Sequence, residues 1–179
     1  IILEIDGESN AELEKQAKQI EIIASELNVS EIRIAGSQQE VDEIWAIRRG
    51  LSSAIGAMAP NRFGEDISVP RDAFPEAIRR IQEISKKYNL TIAVYGHAGD
   101  GNVHPSVLCD LSQPEEDQRV HQAINEIFDV ALALGGTLSG EHGIGITKRP
   151  YIAKALGEEG VNTLKMVKQA LDPQGILNP

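Results

Sequence analysis

Along the chain, apolar positions fall into two rhythms, and they alternate. Residues 1–6, IILEID, read as a strand, and the helix that follows carries Leu13, Ala17, Ile20, Ala24 and Leu27 on one stripe. Ser9 and Glu12 precede it with the S-x-x-E spacing of a capping box, in which a hydroxyl and a carboxylate satisfy open N–H groups at a helix start. Residues 31–35, EIRIA, alternate and predict a second strand. Ser37 and Glu40 repeat the capping box, and Val41, Ile44, Trp45, Leu51 and Ile55 form the next stripe. A third strand is expected at 65–70, EDISVP, ended by Pro70. A helix over about 72–88 then buries Phe74, Ile78, Ile81 and Ile84. Residues 91–97 and 102–109 predict two more strands. Ser112 and Glu115 predict a third capping box, for a helix burying Val120, Ile124, Ile127, Ala131 and Leu134 and stopping at Gly135-Gly136. Residues 137–145 read as extended and glycine-rich, and short helices follow near 148–156 and 158–171.

The order is βαβα, then βαββα, then an irregular tail. Strands joined by helices, with one tight hairpin, predict an α+β fold: a ferredoxin-like split-βαβ sandwich with an antiparallel sheet and a C-terminal helical tail. No repeat, linker or low-complexity segment divides the 179 residues, which suit one domain or one with a small appendage. Aromatic residues make up only 4%, so the core must be built from Ile, Leu, Val and Ala. The net charge of −10 argues against nucleic acid as the main partner, because phosphate binding needs a basic face. A single cysteine, Cys109, excludes an internal disulfide and a Cys-based zinc site, and its place after an apolar strand marks it as a small core residue. No apolar run approaches the roughly 20 residues of a membrane span. The chain opens directly into a strand pattern without Met, so a piece of a longer protein is expected.

The candidate chemistry lies in two stretches. In YGHAGDGNVHPSV, residues 95–107, His97 and His104 flank a turn rich in Gly, Asp and Asn, residue types that tolerate positive φ. A rigid turn can bring two imidazoles to one face, as a divalent metal requires. The alternative is that each caps a strand or bonds backbone. In SGEHGIG, residues 139–145, Glu141 and His142 stand among Gly140, Gly143 and Gly145, which permit close backbone approach. If the segment is extended, the two side chains point opposite ways and have different tasks, one a metal ligand and the other a proton acceptor. The alternative is a polar pair in a surface loop. Two histidines and one carboxylate leave positions open, as catalytic metal sites do. His121 reads as a surface residue, Trp45 as core, and Lys148 and Arg149 either as solvated or as holding an anion.

GHAGDGNVHP, SGEHGIG followed by Lys148, and LDPQGILNP together resemble the C-terminal domain of the FAD-linked oxidases, in the vanillyl-alcohol oxidase-type superfamily. Within it the pattern resembles the glycolate oxidase D subunit and the D-lactate dehydrogenases, over nearly the whole chain. The resemblance implies that His97, His104 and Glu141 bind a divalent metal such as Zn, Mn or Fe, and that His142 takes the substrate's hydroxyl proton. It implies that Arg48, in WAIR, anchors the substrate carboxylate, with Ser52 the hydroxyl-bearing residue four further on. Ser106 stands where dicarboxylate-using relatives have Asn, and NRFGEDISVP lacks the Lys that they carry before the third strand. Both departures weaken the case for a dicarboxylic substrate, and by elimination the resemblance implies a small D-2-hydroxy acid, glycolate or D-lactate.

By the same resemblance, FAD is held mainly by a domain that precedes this one, and this chain has no Gly-rich phosphate loop of its own. It is expected to be the substrate-side cap, without flavin or activity alone. Its partners would be its own N-terminal FAD domain and other oxidase subunits, in the cytoplasm or peripheral to the inner membrane. Two readings of other classes compete: a self-contained metallohydrolase and a non-catalytic binding module.

Overall fold

A computed structural model describes the whole chain, residues 1–179. It divides into two compact units, Ile1–Ala54 and Ile55–Pro179. No helix is long and apolar enough to cross a membrane.

The first unit is helical. Helix α1 spans Asn10–Glu26, and the Ser9 hydroxyl accepts the Glu12 N–H at 3.3 Å. Helix α2 spans Gln38–Gly56, so the unit boundary falls in its last turn. Here the reciprocal cap is complete: the Ser37 hydroxyl accepts the Glu40 N–H at 3.3 Å, and the Glu40 carboxylate accepts the Gly36 N–H at 2.7 Å. The strands expected at 1–6 and 31–35 are not formed. Both segments lack ladder hydrogen bonds, and Ile1, Leu3 and Ile34 are exposed. Alternation encodes a preference for extended backbone, but a strand exists only where an edge supplies its N–H and C=O partners.

The second unit holds the sheet. Strands β1 (Asn61–Gly64), β2 (Ile67–Ser68), β3 (Thr91–His97) and β4 (Asn102–Cys109) are antiparallel throughout. β4 is central, with β3 on one side and β1 then β2 in succession along the other. The strand expected at 65–70 is thus split and starts earlier. The register nevertheless runs through the gap, from Gly64↔Ser106 to Ile67↔Val103, which puts Asp66 opposite His104. Pro105 explains the interruption: its carbonyl accepts the Glu65 N–H at 2.9 Å, but it has no N–H to return.

Helices α3 (Phe74–Tyr88) and α4 (Pro114–Ala133) cover the apolar face of this sheet. Ile81, Ile84, Ile124, Ile127 and Phe128 meet Ile67, Val103 and Val107 in one buried cluster. Each such side chain contributes roughly 1.5–3 kcal/mol on leaving water. The third capping box is absent. α4 starts at Pro114, whose missing N–H suits a first-turn position, and Gln113 caps it without a side-chain bond. The helix stops as expected, with Gly135 at φ 77° and the Gly136 N–H returning to the Ala131 carbonyl at 2.8 Å.

A short helix α5 (Gly145–Lys148) and a 3-10 turn lead into α6 (Ile152–Leu171), broken at Gly157, where φ is 67°. The α+β class, the antiparallel sheet and the C-terminal helix agree with the sequence reading.

Candidate functional site

The second face of the sheet is polar. Alternation along β4 sends Val103, Val107 and Cys109 into the core, so Asn102, His104 and Ser106 point the other way, and all three are buried. Antiparallel pairing adds Tyr95, opposite His104, and His97, opposite Asn102. The hairpin turn is closed by the Asp100 N–H on the His97 carbonyl at 3.0 Å and the Gly101 N–H on that of Ala98 at 3.3 Å. His97 and His104 are therefore diagonal neighbours on one face, with ring centroids 5.5 Å apart and planes at 89°.

The third contribution comes from 139–142, and it departs from the extended segment expected there. The Ser139 hydroxyl and the N–H groups of Gly140, Glu141 and His142 all donate to one oxygen, Asp66 Oδ2, at 2.8–3.0 Å. Successive amides that converge on one anion curl the backbone into a nest, which a straight strand cannot do. Gly140 is required for the approach: a Cβ there would lie 2.5 Å from Asn102 Oδ1. The curl also undoes the expectation that Glu141 and His142 face opposite ways.

Glu141 Oε1 lies 3.1 Å from His104 Nε2, 3.9 Å from His97 Nε2 and 3.8 Å from His142 Nε2. The His142 ring stacks on that of His104, centroids 5.2 Å apart. The four candidates His97, His104, Glu141 and His142 are thus gathered at one place.

Two of these imidazoles and the carboxylate fit a divalent cation. Donor atoms of His97, His104 and Glu141 all lie within 4.8 Å of one another, and the set is the N/O type that zinc, manganese and iron accept. Asp66, His104 and His142 meet the same distance test. Asp66 is fully buried, with four donors already on Oδ2 and only Oδ1 unpaired, whereas Glu141 is about half exposed. His142, with its side chain 58% exposed, remains open to a substrate.

Electrostatics follow from burial. Burial works to raise the Asp66 carboxyl. The His142 and Glu141 N–H groups, the Ser139 hydroxyl and the nearby Lys148 charge outweigh it and hold the group below the usual carboxylate range. Burial pushes the His104 imidazole below its ordinary value, against the pull of Asp66 and Glu141. Of the two readings of Lys148, solvated or holding an anion, the solvated one fails. The lysine is buried, donates to the Asp66 carbonyl, and sits 3.9 Å from both the Glu65 and Asp66 carboxylates. Burial lowers its ammonium and raises Glu65.

Arg48 and Ser52 belong to the first unit. They are four residues apart on α2 and share the stripe of Trp45, Leu51 and Ile55, all at least half-buried. The sequence reading missed Asp66 and the Arg62 fork. Arg62 donates from Nε to Ser106 Oγ at 3.1 Å and from Nη2 to the Tyr95 hydroxyl at 2.9 Å. The signal for Asp66 was the polar alternation Arg62, Gly64, Asp66, Ser68, which ordinarily marks a wet sheet face. Cys109 is buried as expected, and His121 lies at the surface.

The family model described as FAD linked oxidases, C-terminal domain, matches residues 1–179. The chain is 37% identical over 179 residues to glycolate oxidase subunit GlcD of Bacillus subtilis, spanning all of this chain and 38% of that protein. It is 32% identical over 179 residues to the Escherichia coli K12 subunit of the same name, again over the whole chain and 36% of the relative. It is 35% identical over 167 residues to the mitochondrial D-lactate dehydrogenase [cytochrome] of Arabidopsis thaliana, over 92% of this chain and 30% of that one. The chain thus spans less than two fifths of the length of these relatives.

Proposed function

Because the chain belongs to the family of FAD-linked oxidase C-terminal domains, we propose that it forms the substrate side of a flavoprotein that oxidises a small D-2-hydroxy acid, glycolate or D-lactate, to the 2-oxo acid. The names of the relatives support this choice of substrates. The observation that carries it is the convergence of His97, His104 and Glu141 beside an exposed His142.

His97, His104 and Glu141 would hold a divalent cation, which would supply Lewis-acid charge that makes a substrate hydroxyl easier to ionise. His142 Nε2 accepts that hydroxyl proton. Arg48, whose planar guanidinium can take a carboxylate through two parallel hydrogen bonds, is the residue proposed to anchor the substrate's carboxylate, with Ser52 one helical turn along. A flavin, when bound, would supply the two-electron acceptor that takes the α-carbon's hydrogen as the C–O bond becomes a carbonyl. FAD is held by the rest of the polypeptide, and further oxidase subunits complete the assembly. The location that goes with this reading is the cytoplasm, with peripheral contact to the inner membrane.

The test is metal content and oxidation in the full-length flavoprotein. One divalent ion per chain is expected by elemental analysis, lost in His104→Gln and Glu141→Gln and kept in His142→Gln. D-lactate or glycolate should reduce an artificial electron acceptor. Ester or amide hydrolysis with metal present, and no oxidation of either acid, would replace this reading with the metallohydrolase.

A further inference from the structure

The geometry points to Asp66 as the positioning residue of the site: one buried carboxylate that shapes the 139–142 loop through Oδ2 and fixes the tautomer of His104 through Oδ1. The inference rests on the proposed metal site for its functional meaning, though not for its geometry.

The two oxygens of Asp66 are differently used. Oδ2 receives every donor the loop offers, four in all, from Ser139 to His142. Oδ1 receives none, although the residue is fully buried. The nearest titratable group is His104 Nδ1 at 3.6 Å, and that atom is also buried without a partner. Two buried polar atoms left unpaired and 3.6 Å apart, on residues that strand register places face to face, are complementary only if the nitrogen carries the proton. With the proton on Nδ1, the lone pair of His104 is on Nε2. That is the atom facing Glu141 at 3.1 Å, where a cation would sit.

Lys148 secures the arrangement from behind, donating to the Asp66 carbonyl with its ammonium 3.9 Å from Oδ2. Around the Asp66 carboxylate stand His104 at 3.6 Å, the Lys148 ammonium at 3.9 Å, the His142 imidazole within 4.8 Å, and the adjacent Glu65, itself 3.9 Å from Lys148. One side chain therefore sets the direction of His104 and carries the loop that bears Glu141 and His142.

The experiment is the tautomer of His104, read by long-range 15N–1H correlation spectroscopy in metal-free full-length protein at pH 8. The signal is assigned by its loss in His104→Gln. Wild type should show the Nδ1–H form. In Asp66→Asn the amide oxygen can still take the loop donors while its NH2 faces Nδ1, so His104 should switch to Nε2–H with circular dichroism unchanged. Manganese affinity should fall about 10- to 100-fold in that variant. Wild-type His104 in the Nε2–H form overturns the proposal without any variant, so misfolding of Asp66→Asn would not shield it. A wild-type-like tautomer and wild-type manganese affinity in a folded Asp66→Asn overturn it as well. If wild type shows the Nδ1–H form and the switch occurs but neither protein binds manganese, zinc or iron, the positioning role stands and the metal reading fails.

Discussion

Glu141 and His142 are adjacent in the chain, and the proposed function gives them separate duties. The carboxylate faces both His97 and His104, whereas the imidazole lies open to solvent. Loss of a general base typically lowers the rate by about 10²- to 10⁴-fold. His142→Ala should therefore reduce kcat by that order in the full-length enzyme and leave bound metal unchanged. Arg48→Lys keeps a charge but loses the planar fork, so KM should rise more than kcat falls. Steady-state kinetics paired with elemental analysis separate the two. Metal loss in His142→Ala with retention in Glu141→Ala would reverse the assignment. The residues of this pair, like His97 and His104, could be read from the sequence because imidazoles and a carboxylate stood among glycines. Asp66 could not. One Asp in an alternating strand looks the same whether its face is wet or dry, and only the loop from 139–142 decides which.

At the level of elements, the site is as firm as the sheet beneath it, and the sheet is as firm as the α3–α4 layer. Phe128 is fully buried, rests 4.8 Å from the Tyr151 ring and lies under the Lys148 ammonium. Phe128→Ala should cost about 3–5 kcal/mol in denaturant unfolding. It should also loosen Lys148, so manganese affinity should weaken in the fraction that remains folded. The helices and the hairpin were legible because a 3.6-residue stripe, a positive-φ turn and a Gly-Gly stop are local signals. Two kinds of feature were not. Segments 1–6 and 31–35 carry a strand pattern but no ladder, since pairing depends on residues far along the chain. The capping box at Ser112 and Glu115 was pre-empted by Pro114, which starts the helix two residues later than Ser112. In the central strand, Pro105 breaks the partner at Glu65–Asp66 without shifting register, and pattern alone had drawn one strand there.

For the whole molecule, a metal that binds only the folded site adds to stability by mass action, about 2.7 kcal/mol at 100 times Kd. Manganese or zinc should therefore raise the melting temperature of the unit Ile55–Pro179 in the full-length protein, and a chelator should return it. The same additions to His104→Gln should shift nothing. The nest on Asp66 has a dynamic consequence too. The amides of Gly140, Glu141 and His142 share a single acceptor, so none can be released to solvent while the others stay bound without leaving that oxygen short of a donor. Their deuterium uptake should advance together, at one protection level, slowed in common by bound metal and accelerated in common by Ser139→Ala. Under the proposed roles, an opening of that kind would carry off a metal ligand and the proton acceptor in the same event. The centre is then either whole or dismantled, with no half-armed state in which a substrate could be activated but not deprotonated.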